Sequence, residues 1–571
     1  MTEPEHLGAI WIEPSPAGVD ALSLHPDPLL ANLLARRGIR GRAEAVAFLE
    51  DRPQPNPAPS RLPNLTAAVD RIEAALDAGE NIGVFGDYDV DGITSTVLLV
   101  SSLRAMTAPA ERVAVRLPLR ADGYGLTIAA VEAFAAAGVT LLIAVDCGSN
   151  DHAAIDRARE LECDVLVFDH HQISGTAPDG AVVVSAQLGD DHDLQTLSAV
   201  GVVYLAVCEL SRRGRPLPPG GDVALLDLVA LGAIGDVVPL LGVNRPLVRD
   251  GLEWIRNGAR AGIRALVRKA GLQPETITSE SLSFKVVPRI NAAGRVADPK
   301  LAFDLLMATS DRVANDLANQ IEQLNERRRD ESKAILDDVM TMVAADAACL
   351  DDPLLVFASD RWSVGLAGPA AAKLSERYRR PVVVLAVEGE FLHGSARSVP
   401  GFDVARAFER LDGMLTRHGG HAQAAGLTLR RDRLEEFRLG LMALIAAPSE
   451  DLSRAVFQIE ADLIPNRLDL KTARALESLQ PFGQKNPRPL LRVRNLTVQR
   501  VEAMGQDCTH LRLFLTSGQT SVKAVMFGAA PRQSELALGG RIDVLALASL
   551  DHWNGSERID VQIKDFRPSA G

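Results

Sequence analysis

The stretch GVFGDYDVDG, residues 83–92, places Asp87, Asp89 and Asp91 at every second position behind an apolar run. Ile82, Val84 and Phe85 read as a buried strand that delivers the acids into a turn closed by Gly92. Three carboxylates so close together repel one another, and burying them is costly unless positive charge sits among them. The stretch thus predicts a strand end that gathers cations. A plain turn or a Ca2+ loop is the competing reading. The EF-hand pattern fails, because no Glu stands at the closing position and a strand rather than a helix comes first.

Beyond this stretch, short apolar runs alternate with amphipathic helices, the signature of a parallel α/β sheet. The runs are NIGVFGD, VTLLIAVD, CDVLVFD, GAVVVSA and LVALGAIGD, with helices such as LTIAAVEAFAAAG and DHAAIDRARELE between them. Four of these five runs stop on an aspartate, namely Asp87, Asp146, Asp169 and Asp236. Ligands of open α/β sheets bind beyond the carboxyl ends of the strands, so loops after separate strands can gather these acids.

A chain of 571 residues is too long for one core and is expected to divide into three or four domains. Its 47% hydrophobic and 24% charged content is that of an ordinary soluble protein. The start, MTEPEHLGAIWIEP, lacks the basic opening and apolar core of a signal peptide. AVGVVYLAVCEL, from Ala199, is too short to span a bilayer and reads as a buried helix, so no membrane association is expected. Cys147, Cys163, Cys208, Cys349 and Cys508 form no CxxC pair and no zinc spacing, which fits a reducing cytoplasm. The net charge of −13 argues against a protein that coats nucleic acid nonspecifically, yet leaves room for a nucleic-acid enzyme with a local basic groove.

Composition shifts divide the chain. Residues 1–62 read as a small helical lead-in (DPLLANLLARRGIRGRAEAVAFL) ending in the Pro-rich DRPQPNPAPSRLP. The α/β run occupies 63–301, and 302–348 is a charged helical connector without Pro or Gly. A second α/β lobe, 349–447, holds the strands DPLLVFAS and RPVVVLAV and the Gly-rich HGSARS and RHGGHAQAAG. From 448 to 571 the chain turns β-rich, and five short strands at that spacing suggest a small barrel of the OB type, a common nucleic-acid platform.

In FDHHQ, residues 168–172, His170 and His171 follow Asp169 at the end of the third run. A lone His at a strand end is more often a hydrogen-bonded structural group. Here the pair shares a sheet edge with the other acids. Carboxylates with imidazole suit Mn2+ or Mg2+, and zinc is disfavoured without cysteine ligands. One ion is too few for so many acids. Two divalent ions roughly 3.5–4 Å apart, bridged by a carboxylate and a water, are a device for attacking phosphorus.

GDYDVDG, VDCG, DHH and GAIGDVVPL, in that order, resemble motifs I to IV of the DHH phosphoesterases. LLARRGI, AVAFL, PRINAAGR (288–295), LNERR, HGSARS, RHGGHAQAAG, PFGQKNP and the OB-like end extend the likeness to the RecJ family, bacterial single-strand-specific 5′→3′ DNA exonucleases. The resemblance implies a DHH catalytic lobe, a helical connector, a DHHA1 lobe and an OB-like barrel. It also implies that Asp89, Asp91, Asp146, His170 and Asp236 hold two Mn2+ or Mg2+ ions, with Asp146 bridging. Asp87 is an additional acid of the RecJ motif I. His171 would contact the scissile phosphate or its water, and Asp169 would orient a histidine from behind.

The same resemblance implies a basic substrate side. Arg289, Asn291 and Arg295 would hold phosphates near the metals, since Arg pairs with phosphate in a bidentate fork. Read alone, an Arg in such a segment is more often a surface residue. Gly394 would let the backbone approach while Ser395 and Arg397 grip a phosphate. His418 and His421 would lie on a flexible loop, with His421 the phosphate contact. Arg120 would bind the 5′-terminal phosphate, closing one end of the channel together with the Gly394–Arg397 loop. Tyr124 would stack on a base or, equally, be a packed loop aromatic. Arg492, Arg494 and Arg500 are expected on one strand face that tracks phosphates.

Three departures stand out. Motif II reads DCGSN, with Cys147 where the family usually has Asn; motif IV reads IGD rather than IAD; and RADGYG is about one residue short. The leading expectation is an exonuclease on single-stranded DNA in repair and recombination. The alternatives are a DHH oligoribonuclease or cyclic-dinucleotide phosphodiesterase and, from another class, a catalytically silent DHH scaffold in a replication complex. A helical lead-in and a barrel disfavour the first, and the retained acids disfavour the second. A monomer is expected, and contacts with single-strand-binding protein and a RecQ-like helicase are implied only by the family.

Overall fold

The first sheet has five parallel strands in the order Val113–Arg116, Ile82–Phe85, Leu141–Val145, Asp164–Phe168 and Ala181–Val184. The chain leaves Ile82–Phe85 for one neighbour and then crosses to the other. The carboxyl ends of Ile82–Phe85 and Leu141–Val145 therefore flank a topological switch point, where ligands of such sheets bind. Asp87 and Asp146 emerge from those two ends.

The computed structural model describes residues 9–14, 21–50, 58, 61–107, 109–445, 454–505, 507–553 and 556–569. The first eight residues and most of the Pro-rich stretch after Glu50 lie outside the described residues, so the expectations placed on them are not addressed. The chain divides into two compact units. One comprises Ile12–Gly294, Asp298–Gln320 and Gln458–Gly571; the other comprises Met1–Trp11, Arg295–Ala297 and Ile321–Phe457. Among the described residues no helix is long and apolar enough to cross a membrane.

Behind the switch point runs the helix Val90–Met106, buried along nearly its whole length. It can be buried on all sides because its hydroxyls serve its own backbone: Thr94, Thr96 and Ser102 donate to the carbonyls of Val90, Gly92 and Leu98 at 2.7–2.8 Å. Against it packs Gly221–Gly235, a helix buried from Leu225 to Ile234. Here the expected strand LVALGAIGD is corrected to a helix. A run apolar on every side suits a buried helix as well as a buried strand, and fifteen continuous residues exceed what a strand needs. Asp236 consequently sits at a helix C-terminus instead of a strand end.

The helices Pro28–Arg36 and Arg42–Leu49 share one hydrophobic core with the C-terminal barrel, through Leu33, Leu34 and Phe48 packed among residues such as Phe482 and Val493. In that barrel Leu491–Met504 pairs with both His510–Ser517 and Arg541–Trp553, which closes the sheet. The expected arginine face is absent. Asn495 takes a φ of 62° and the register shifts twice along the strand, breaking the alternation. Arg492 turns inward, 1% exposed, and pairs with Glu13 at 2.5 Å and Asp462 at 2.6 Å. Arg492→Ala removes a buried side chain, but Glu13 and Asp462 are half-exposed or more and return to water, so we expect a loss of about 1–2 kcal/mol in urea unfolding. Exposed Arg494 makes only a 3.4 Å contact to Asp462, and Arg494→Ala is expected to change stability by about 0.5 kcal/mol or less.

In the other unit the sheet runs Leu415–His421, Ala424–Arg430, Phe391–Arg397, Val382–Glu388 and Leu355–Ser359, with only the last pair parallel. Both Gly-rich segments expected as loops are strands. HGSARS lies mostly in the central strand Phe391–Arg397, and HGGH ends the edge strand Leu415–His421. Gly394 is required there because a Cβ would stand 2.0 Å from the Val384 carbonyl oxygen. The connector contains Lys300–Met307 and the 35-residue helix Asp311–Ala345.

Candidate metal centre

Asp89 caps the helix Val90–Met106, its Oδ1 accepting from the N–H groups of Asp91 at 2.9 Å and Gly92 at 3.1 Å. A cap of this kind orients the carboxylate and leaves its other oxygen for a ligand. Asp91, in the first turn, is fully buried. Its two oxygens accept from Ala199 N at 2.7 Å and Val200 N at 3.0 Å, so it also caps the helix Ala199–Arg212. That structural duty was missed in the sequence, because the partner lies 108 residues away.

Gly92 and Gly232 make the crowding feasible. A Cβ on Gly92 would meet Asp87 Cβ at 2.6 Å, and one on Gly232 would meet Asp91 Oδ1 at 2.7 Å. The motif IV departure has the same kind of reason: a Cβ on Gly235 would stand 2.0 Å from Val90 Cγ1.

Asp146 adopts φ 62°, a left-handed conformation that Asp tolerates better than most residues. Its N–H donates to Phe168 O at 2.9 Å, and its carbonyl accepts from the Tyr124 hydroxyl at 3.0 Å. The same hydroxyl lies 3.0 Å from His171 Nδ1. Tyr124 thus braces the loop after the Leu141–Val145 strand, a role absent from the sequence reading, while the residue as a whole remains 42% exposed. Asp169 organises the next turn. Its Oδ1 accepts from the N–H groups of His170 and His171 and lies 2.8 Å from His171 Nδ1.

Ligand atoms converge in three groups: Asp87, Asp89 and Asp146; Asp91, His170 and Asp236; and Asp146, His170 and His171. His170 Nε2 is 3.3 Å from Asp146 Oδ1 and 3.5 Å from Asp236 Oδ2, joining the groups into one cluster. Asp87 Oδ1, Asp146 Oδ1 and His170 Nε2 are buried and make no hydrogen bond within the chain. Buried polar atoms are normally satisfied, so three orphans aimed at one place fit hard divalent cations.

The electrostatics agree. Burial, then the charge of Asp236, pushes the Asp91 carboxyl up to about 7; burial, then Asp89, lifts Asp236 to about 7. Asp87 and Asp146 are raised well above the usual carboxylate range by burial and neighbouring acids. Asp169 goes the other way: burial opposes its charge, but the hydrogen bond from His171 outweighs it and holds the carboxyl well below its usual range. Burial likewise opposes charge on His171, yet Asp169 lifts it to about 9. Burial lowers His170, keeping its imidazole neutral as a metal ligand requires.

Sequence comparisons bear on both α/β lobes and the barrel. Family models match residues 81–233 (DHH family, N-terminal domain), 351–446 (DHHA1 domain) and 459–565 (RecJ OB domain). The single-stranded-DNA-specific exonuclease RecJ of Dickeya dadantii is 35% identical, over 81% of this chain and 82% of the relative. That of Bacillus subtilis is 32% identical, over 95% of this chain and 68% of the relative. The chain belongs to the RecJ family. The crystal structure of RecJ in complex with Mn2+ from Thermus thermophilus superposes with a TM-score of 0.83 at 27% identity, covering 98% of this chain and 80% of that one.

The residues that the RecJ resemblance assigns to substrate fall in both units. Beside the acids, Arg120 lies 4.6 Å over the Tyr88 ring. Asn291 Oδ1 accepts from Val90 N at 2.9 Å, so its carbonyl pins the motif I turn. Arg289 donates to the Lys285 carbonyl. In the other unit Arg295, Ser395 and Arg397 converge on the start of the helix Val364–Tyr378. Arg295 Nη1 donates to Gly365 O at 3.3 Å, Arg397 Nη1 donates to Ser395 Oγ at 2.7 Å, and a Cβ on Gly368 would stand 3.1 Å from Arg397 Nη2. His421 is exposed at the end of its edge strand, and His418 Nε2 lies 3.0 Å from Asp412.

Proposed function

We propose that this RecJ-family chain hydrolyses single-stranded DNA from its 5′ end, with Asp87, Asp89, Asp91, Asp146, His170 and Asp236 holding two Mn2+ or Mg2+ ions. The observation that carries this reading is the trio of buried, unbonded ligand atoms on Asp87, Asp146 and His170. Bound there, such ions would lower the pKa of water and offset charge on the attacked phosphate. His171, protonated and oriented by Asp169, is positioned to donate a hydrogen bond to a phosphate oxygen. Tyr124 keeps Asp146 and His171 in register. Purified protein with Mn2+ and end-labelled single strands tests the reading. We expect DNA shortened from the 5′ end and no activity in EDTA; intact strands with Mn2+ would refute it. On this reading the enzyme works as a cytoplasmic monomer in repair and recombination, beside single-strand-binding protein and a RecQ-like helicase.

We assign the 5′ end to Arg295, Ser395 and Arg397 at the start of a helix, two forked cations and a hydroxyl whose chemistry suits a terminal phosphate. A charge-assisted contact is worth roughly 1.5–3 kcal/mol. Arg397→Ala is therefore expected to blunt the preference for 5′-phosphate over 5′-hydroxyl ends by about tenfold to a hundredfold. Equal preference in variant and wild type would remove Arg397 from this role.

Grip on the strand is assigned to a different barrel face from the one expected. Arg500, Phe514 and Lys523 stand in register across three strands, and Arg500 Cζ lies 4.0 Å over the Phe514 ring. Cations interleaved with an aromatic ring suit a single strand's phosphates and bases. Phe514→Ala with Lys523→Gln is expected to weaken oligonucleotide binding about tenfold and to flatten its salt dependence. An unchanged salt slope would leave this face merely solvated.

A further inference from the structure

Within the unit that carries the acids, a cavity of about 390 Å3 opens beside Asp236. Its walls include Ile234 and Val237 from the end of the Gly221–Gly235 helix, Phe284, and Phe482, Gln484 and Leu547 from the barrel region. Two of these side chains are held out of any core: Phe284 is 80% exposed and Val237 is 60% exposed. Apolar side chains scattered singly on a surface need no explanation, but these two face one concavity that starts one residue from a candidate metal ligand.

The backbone beneath both is unusual. Val237 has φ 59°, a left-handed conformation that is costly for a β-branched residue, where glycine normally ends a helix. Phe284 lies in the π-helical turn Leu282–Val286, directly before the helix Val287–Val296. That helix pins the motif I turn through Asn291 and meets Tyr88 O so closely that Gly294 has no room for a Cβ. Strain and π-turns persist where the surroundings over-determine them, and they cluster at functional sites. The cavity's charged members are already neutralised. Arg488 pairs with Glu280 and Glu477 at 2.7 Å and lies 4.4 Å over the Phe482 ring. An uncharged, flat, partly apolar occupant therefore fits best.

We propose that Phe284 and Val237 form a nucleobase platform, which takes the base of a nucleotide lying next to the metal centre. The proposal rests on the exonuclease reading and names a base subsite for its substrate. A single strand offers an unpaired base of the right chemistry, and the backbone phosphates can pass the acids only in company with ions. Stacking on an aromatic side chain is sequence-tolerant, so the platform imposes no base preference beyond purine over pyrimidine.

The test compares fluorescein-labelled oligodeoxynucleotides that are fully base-bearing with ones that carry a run of abasic sites, bound to full-length protein with Ca2+, an oxygen-seeking cation that offsets the acids. Wild type is expected to favour the base-bearing strand. Phe284→Ala is expected to lose about fivefold to a hundredfold of that discrimination and to bind the abasic strand as wild type does. Phe284→Trp is expected to restore it. The thermal midpoint of each variant reports folding, and an exposed side chain predicts little change. Discrimination unchanged in Phe284→Ala, or equal loss on both strands, overturns the platform. Failure of the exonuclease reading looks different, as wild-type protein with Mn2+ that leaves single strands intact.

Discussion

Asp146→Ala is expected to lower Mn2+-dependent degradation of single-stranded DNA by on the order of a thousandfold or more, in a protein that still folds. Asp146 belongs to two of the three ligand groups, and its unbonded Oδ1 lies 3.3 Å from His170 Nε2. Loss of its carboxylate therefore disturbs both halves of the cluster. Its backbone is secured independently by Phe168 and Tyr124, so the loop stays in place. Asp146→Asn isolates the charge, because Asn also tolerates the left-handed conformation. In EDTA we expect Asp146→Asn to melt no lower than wild type, since burial and neighbouring acids oppose the wild-type carboxylate. Activity and stability would then move independently. A folded Asp146→Ala enzyme with wild-type turnover would refute the two-metal assignment.

Mn2+ is expected to raise the thermal midpoint strongly at pH 8 and weakly at pH 5. The folded pKa of Asp91 and of Asp236 is about 7, against an unfolded value near 3.9. Between those values the folded state binds more protons than the unfolded state, so stability falls as pH rises from about 4 to about 7. His171, lifted to about 9, acts in the same direction from about 6.5 upward. Asp169 and His170 act in the opposite direction; the contribution of Asp169 is complete above about pH 4, and the lowered His170, one group against three, adds stability only up to about pH 6.5. The combined penalty at pH 8 in EDTA is on the order of several kcal/mol. Cations that bind the ionised acids remove it, whereas at pH 5 protons compete for the same oxygens. Differential scanning with and without Mn2+ at both values checks this, and Asp236→Asn is expected to shrink the difference. An equal shift at pH 5 and pH 8 would show that the acids are not the groups engaged.

The strand Ile82–Phe85 and its acids were legible in the sequence because alternation, an apolar run and a glycine stop are local signals. So were the helix Ala199–Arg212, the helical connector with its long helix Asp311–Ala345, and the five barrel strands. LVALGAIGD was not, because a fully buried run carries no polar face from which a period can be read. HGSARS and HGGH misled because glycine marks close backbone approach as readily as a turn, and at Gly394 the approach is to the neighbouring strand.

Residue type and order determined by themselves that this chain gathers carboxylates and histidines for divalent cations, in a RecJ-family architecture. Tertiary structure alone decided what each group does besides: Asp91 caps a distant helix, Asn291 pins the motif I turn, Tyr124 braces Asp146, and Arg492 is turned inward onto Glu13 and Asp462. The reason is physical. A carboxylate's chemistry travels with the residue, whereas its hydrogen-bond partner is set by which segments the fold brings within about 3 Å, and no local pattern records that distance.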